Sequence, residues 1–213
     1  MDQNGRLTFS GTAGQRVSLQ VTASTLADAA VTLIRPDQTS QYLGTFGTGS
    51  RFYDTVTLPS TGGYAIAIDP SATTTGCATF TLYDVPPDAT ASITPGGAAV
   101  GICNTVPGQN MRLTFTGTAG QQVSAWVTGS TLATTGVTLI WPDQSAHYLG
   151  SFGTGDHFYD AVTLPSTGDY VLRIDPTDAG TGCATFQLFT GADVYAAITP
   201  GGASVQTCNT VPS

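Results

Sequence analysis

The 213-residue chain contains no Lys and no Glu; its six cations are all Arg and its fourteen acids all Asp. Charged residues make up 9% of the sequence, against roughly 25% in an average soluble domain. Without Lys and Glu the best surface helix formers are gone, and exposed helices are not expected. Schiff-base chemistry and Lys–Asn isopeptide links are excluded for the same reason. There are only two His, His147 and His157, both in the second half, so no nucleophile–His–acid set can serve both halves. The net charge of −8 leaves no basic stripe to displace counterions, which excludes nucleic acid and anionic membrane surfaces as partners. No apolar run approaches the roughly 20 residues of a membrane span, so membrane insertion is not expected. Asp2 follows Met1 directly, without a basic and apolar leader, and the compartment is therefore read from the cysteines.

What is present is β-forming and turn-forming. Thr is about one residue in six and Gly numbers 26. Apolar residues make up 40%, enough to fill two small cores, so disorder is not expected. The dominant pattern is a repeat. Leu7-Thr8-Phe9-Ser10-Gly11-Thr12-Ala13-Gly14-Gln15 returns as Leu113-Thr114-Phe115-Thr116-Gly117-Thr118-Ala119-Gly120-Gln121, an offset of 106 that holds through Tyr83 and Phe189. One residue is then lost near Asp84–Ser92, and the match resumes at Ile93 and Ile198.

Within each copy apolar residues alternate at period two, as in Val17, Leu19, Val21 and Tyr64, Ile66, Ile68. Turn signals separate these runs: Thr12–Gln15, Arg35-Pro36-Asp37, Pro59–Gly63 and Asp69-Pro70. The count predicts an all-β chain of two tandem antiparallel, jelly-roll-like β-sandwich domains of about eight strands each. The expected boundaries are 1–107 and 108–213.

The pieces Leu7–Phe9, Ala13–Gln15, Val31–Asp37, Val56–Tyr64 and Ile68–Pro70, with their partners 106 residues on, resemble the bacterial pre-peptidase C-terminal domain. The resemblance covers nearly all of each copy and rests on strand-and-turn punctuation. It implies a β-sandwich of the kind appended to secreted proteases or strung in arrays on bacterial surface proteins. Some members of that family bind calcium or a polymeric substrate.

Cys77 and Cys103 match Cys183 and Cys208, a pattern that points to disulfides and an oxidising compartment. Alternation puts Cys77 in phase with Thr79 and Thr81, on the outer face of a sheet, and Cys103 likewise out of phase with Val100 and Ile102. Two pairings are open. Cys77–Cys103 with Cys183–Cys208 makes each copy self-contained and is the favoured expectation. The family resemblance implies a shifted phase, in which Ala98–Thr105 belongs to the following domain, Cys103 pairs with Cys183, Cys77 and Cys208 are left to each other or to another molecule, and copy one lacks its first strand. The segment Ile198–Val211 is then a spare strand able to complete a neighbour.

No catalytic residue is expected: motifs of the nucleophile-elbow, zinc-protease and phosphate-loop kinds are missing. Calcium needs several converging oxygens; the positions to hold it are Asp54 and Asp160, which follow Phe-Tyr in both copies. Trp126, out of phase with Val123, Ala125 and Val127, and Trp141, at a strand end, are the candidate ligand contacts, because an exposed Trp stacks on sugars or anchors partners. The expected role is a non-catalytic extracellular module, spacer or adhesive segment of a larger secreted or surface protein. The alternative is a carbohydrate- or collagen-type binding module accessory to a secreted enzyme, with polysaccharide or protein as ligand. A third reading is a strand-exchanging fibre subunit that self-associates head to tail.

Overall fold

The structure, a computed structural model, describes residues 3–71, 73–191 and 195–208. Sixteen strands and no helix occur among them. Seven lie in the first copy: β1 (Gly5–Gly11), β2 (Arg16–Ser24), β3 (Ala29–Ile34), β4 (Ser40–Phe46), β5 (Gly49–Thr57), β6 (Gly62–Pro70) and β7 (Thr79–Asp84). Two short ones follow, β8 (Ala89–Ser92) and β9 (Val100–Asn104). The second set is β10 (Met111–Gly117), β11 (Gln122–Ser130), β12 (Thr135–Ile140), β13 (Ala146–Phe152), β14 (Gly155–Thr163), β15 (Gly168–Pro176) and β16 (Gly182–Gly191). The first six strands of each set share bounds at the 106-residue offset, because the same alternation is closed by the same turns.

The strands form two compact units, each a pair of sheets with apolar faces turned inward. The first unit holds β1–β7, in sheets ordered β1-β6-β3-β4 and β5-β2-β7. The second holds β8–β16, in sheets ordered β13-β12-β15-β10-β8 and β14-β11-β16-β9. Both units close the same corner in the same way. Tyr64 and Tyr170 are buried, and each hydroxyl donates at 2.6 Å to a backbone carbonyl, of Ser60 and Ser166 respectively.

Three features of this division stand out, and two of them correct an expectation. The units do not divide at 107/108: Asp88–Asn104 belong to the second unit, while Pro176–Gly180 and Thr105–Gln109 are grouped with the first. There, Ser18 Oγ donates to the Pro107 carbonyl and Thr55 Oγ1 to that of Gly108, both at 2.7 Å. The sixteen strands accordingly divide as seven and nine among the described residues. The pairing is also not wholly antiparallel, since β8 runs parallel to β10 from Ala89↔Met111 to Ser92↔Thr114. One cause underlies all three. The segment Asp88–Asn104 sends one strand to the edge of each sheet of the second sandwich, and its apolar side chains find their cover there.

The cores record the difference. Val17, Leu19, Val21, Leu33, Tyr53 and Tyr64 pack the first, and their counterparts Val123, Ala125, Val127, Leu139, Tyr159 and Tyr170 pack the second. The second core adds Ile93 and Ile102 from the extra segment, together with Leu113, Phe115, Phe186 and Leu188.

Candidate functional site

The feature that most separates the two units is the sheet edge at which β8 and β9 dock. β9 lies antiparallel to β16, with Val100 opposite Phe186 and Cys103 opposite Cys183. The two cysteines form a disulfide with an S–S distance of 2.02 Å, between residues 80 apart in sequence. The self-contained pairing, Cys77–Cys103 with Cys183–Cys208, is therefore not adopted; Cys77 and Cys208 are exposed free thiols. The reason is register. The backbone of Cys183 is pinned by Thr131, whose Oγ1 accepts from Cys183 N at 2.9 Å, and Asn104 Oδ1 accepts from Gly182 N at 2.8 Å. These bonds fix β16 against its incoming neighbour. β8 enters the other sheet, where Ile93 N donates to Thr114 O and Arg112 Nε meets Asp88 Oδ2 at 2.9 Å.

The first unit presents the same edges uncovered. Among the described residues β7 pairs only with β2, and β1 only with β6. Leu113, opposite Ala91 of β8, is 0% exposed, whereas its counterpart Leu7 is 42% exposed; Leu188, whose carbonyl accepts from Gly96 N ahead of β9, is 1% exposed, whereas Leu82 is 37% exposed. Cys77 keeps the backbone setting of Cys183, with Thr25 Oγ1 accepting from Cys77 N at 2.8 Å.

The other candidate residues fall elsewhere. Asp54, on β5, and Asp160, on β14, are exposed, and Asp54 Oδ1 accepts from the adjacent Thr55 N. Neither joins a group of three or more His, Cys, Asp or Glu side chains among the described residues. His147 stacks near Trp141, with centroids 6.3 Å apart, and the His157 ring meets Tyr159 edge-on at 4.6 Å. Trp141 is half-buried against the second core. Trp126 stands on the outer face of β11, 39% exposed. Beside it are two aromatics that the sequence reading did not single out: Phe189, with centroids at 6.4 Å, and Phe158, its register partner on β14. Cross-strand register was the signal that could have found them. In the first unit the equivalent place is polar, where Tyr83 Oη donates to Gln20 Oε1 at 2.7 Å.

Among the groups that titrate, Asp37 and Asp143 are held below the usual carboxylate range by hydrogen bonds from Thr39 and Ser145, the residues that close their turns. Burial pushes Tyr53 up to about 12 and Tyr159 higher still. Both hydroxyls are enclosed without a hydrogen-bond partner.

No family model and no curated protein matches the chain. Solved structures give only distant likenesses. Bacillus subtilis oxalate decarboxylase is 11% identical with a TM-score of 0.20, over 92% of this chain and 70% of that one. A Pseudomonas syringae protein of unknown function in the DUF861 family is 12% identical with a TM-score of 0.16, over 87% of this chain and 80% of that one. At such scores neither likeness carries an argument about the activity of this chain.

Proposed function

We propose that the chain is a non-catalytic extracellular module, a pair of β-sandwich repeats acting as spacer or adhesive segment of a larger secreted or surface protein. The observation that carries this reading is the seam. Residues Asp88–Asn104, encoded within the first repeat, complete the second sandwich, and Cys103–Cys183 locks them there. An interlocked strand pair with a covalent clasp is a device for holding repeats in a row. The disulfide fits an oxidising compartment, which is why secretion is part of the proposal. The resemblance to pre-peptidase C-terminal domains agrees with it, as such domains are strung in arrays on surface proteins.

The test is a panel of peptide, ester and glycoside substrates. We expect no turnover; a hydrolase activity abolished by Asp160→Asn or His157→Ala would overturn the reading. A second reading, a carbohydrate-binding module, is favoured by one observation: the exposed Trp126 with Phe189 beside it. Stacked aromatic faces are a sequence-tolerant platform for flat ligands.

A further inference from the structure

We infer that the segment after β16 completes the first unit of a second copy of this chain, and that the completed seam is closed by a disulfide from Cys208 to Cys77. The inference rests on the structural-module reading and names its partner.

In the second unit β8 runs beside Leu113 and Gly96 N donates to Leu188 O; in the first, Leu7 and Leu82 occupy the same places and stand exposed. Cys77 is exposed too, on a backbone held by Thr25 as that of Cys183 is held by Thr131.

The donor is in the same sequence. Ile198-Thr199-Pro200-Gly201-Gly202-Ala203 repeats Ile93-Thr94-Pro95-Gly96-Gly97-Ala98, and Val205 and Cys208 repeat Val100 and Cys103. Its turn already has the docked shape. Gly201 has φ 77° and Gly96 76°, and Gly202 N donates to Thr199 O at 2.9 Å, as Gly97 N does to Thr94 O. Its apolar side chains have no cover: Ile198 is 72% exposed, where Ile93 is 3% exposed in the second core.

Donor and acceptor match in register. Transferring the β9–β16 pairing sets Val205 opposite Phe80, Gln206 opposite Thr79, and Cys208 opposite Cys77. Ahead of β1, Gln3-Asn4 stand where Gln109-Asn110 stand ahead of β10. Donor-strand addition of this kind takes its affinity from the backbone ladder and its specificity from the alternate side chains. An open edge with matching strands outside it is a template for self-association.

Closure of the new bond is a two-electron oxidation, for which the oxidant is a small-molecule disulfide such as oxidised glutathione. The Cys208 thiolate attacks one of its sulfurs and expels a thiolate; the Cys77 thiolate then attacks Cys208 Sγ and expels the second. One S–S bond replaces another, and the protons lost by the two cysteines go to the two departing thiolates.

The test uses full chains. Cys77→Ser and Cys208→Ser each remove one half of the new bond and leave Cys103–Cys183 in place. In a glutathione redox buffer we expect neither variant to dimerise alone, their 1:1 mixture to give a covalent dimer, and the unsubstituted chain to give a ladder. Mass mapping should find Cys77 joined to Cys208. Placing Ile198→Asp in the Cys77→Ser chain should cut the dimer yield at least tenfold, and this exposed position tests docking without loading the variant's own fold. An unsubstituted chain that stays monomeric with both thiols free overturns the inference. So does a Cys77–Cys208 bond within one chain, or a dimer yield indifferent to Ile198→Asp. None of these results bears on whether the module is catalytic, and an activity found in the substrate panel would leave the strand transfer standing.

Discussion

At the scale of the residue, the two units share one oddity. Tyr53 and Tyr159 hold their rings in the cores and their hydroxyls away from any partner. A buried, unpaired hydroxyl costs about 1–3 kcal/mol relative to a satisfied one, so Tyr53→Phe and Tyr159→Phe should each raise stability by about 1 kcal/mol in chemical denaturation. The same burial sets a pH dependence. Folded Tyr53 is raised to about 12, above the ordinary value near 10, and Tyr159 is raised further. The neutral form is therefore favoured in the fold. The stability tied to it is intact below about pH 10 and is lost as pH rises through the folded values. The unsubstituted chain should lose stability from about pH 10 upward, and the double Phe variant should lose markedly less. An identical alkaline profile for both chains would show that these hydroxyls do not carry the effect.

At the scale of the element, the decisive pair is β9 with β16. Trypsin cuts after Arg51, Arg112 and Arg173, which places Cys103 on residues 52–112 and Cys183 on residues 174–213. In the Cys77→Ser/Cys208→Ser chain, without reductant, these two peptides should leave the column joined, and two separate peptides would contradict the pairing. Much of what surrounds this pair was legible from the sequence. Alternation at Val17, Leu19 and Val21 and the turns at Arg35-Pro36-Asp37 and Asp69-Pro70 located strands, and the repeat showed that they would recur. The phase was not legible from those patterns. Cys77-Ala78-Thr79-Phe80 and Cys183-Ala184-Thr185-Phe186 are the same four residues, so local pattern offers Cys103 two equivalent partners. Only the family resemblance implied the shifted choice. The parallel pairing of β8 with β10 was out of reach for a related reason: alternation tells which face a side chain takes, not which strand lies alongside. The outer position of Trp126 followed from phase, whereas its neighbours Phe158 and Phe189 come from other strands.

At the scale of the whole molecule, the units are unequal. The second has nine strands and a disulfide; the first has seven and leaves Leu7 and Leu82 exposed. Burying a Leu or Phe side chain is worth about 1.5–3 kcal/mol, and closing a loop of 80 residues is worth on the order of 4 kcal/mol in the chain-entropy model. Calorimetry of the Cys77→Ser/Cys208→Ser chain, which cannot form the intermolecular bond, should show two transitions. Reductant should lower only the upper one, by about 10 °C or more; a single transition, or a shift of the lower one, would contradict the assignment. The offset between repeat and fold also bears on how such a gene can grow. The sequence repeats at an offset of 106 residues, whereas Asp88–Asn104 fold with the sandwich that follows them. Inserting one more block between the two present copies would add one whole sandwich, fed by the strands upstream of it and feeding the one downstream. Copy number can therefore drift by unequal crossing-over while every inserted sandwich keeps both a strand pair to receive and a strand pair to give.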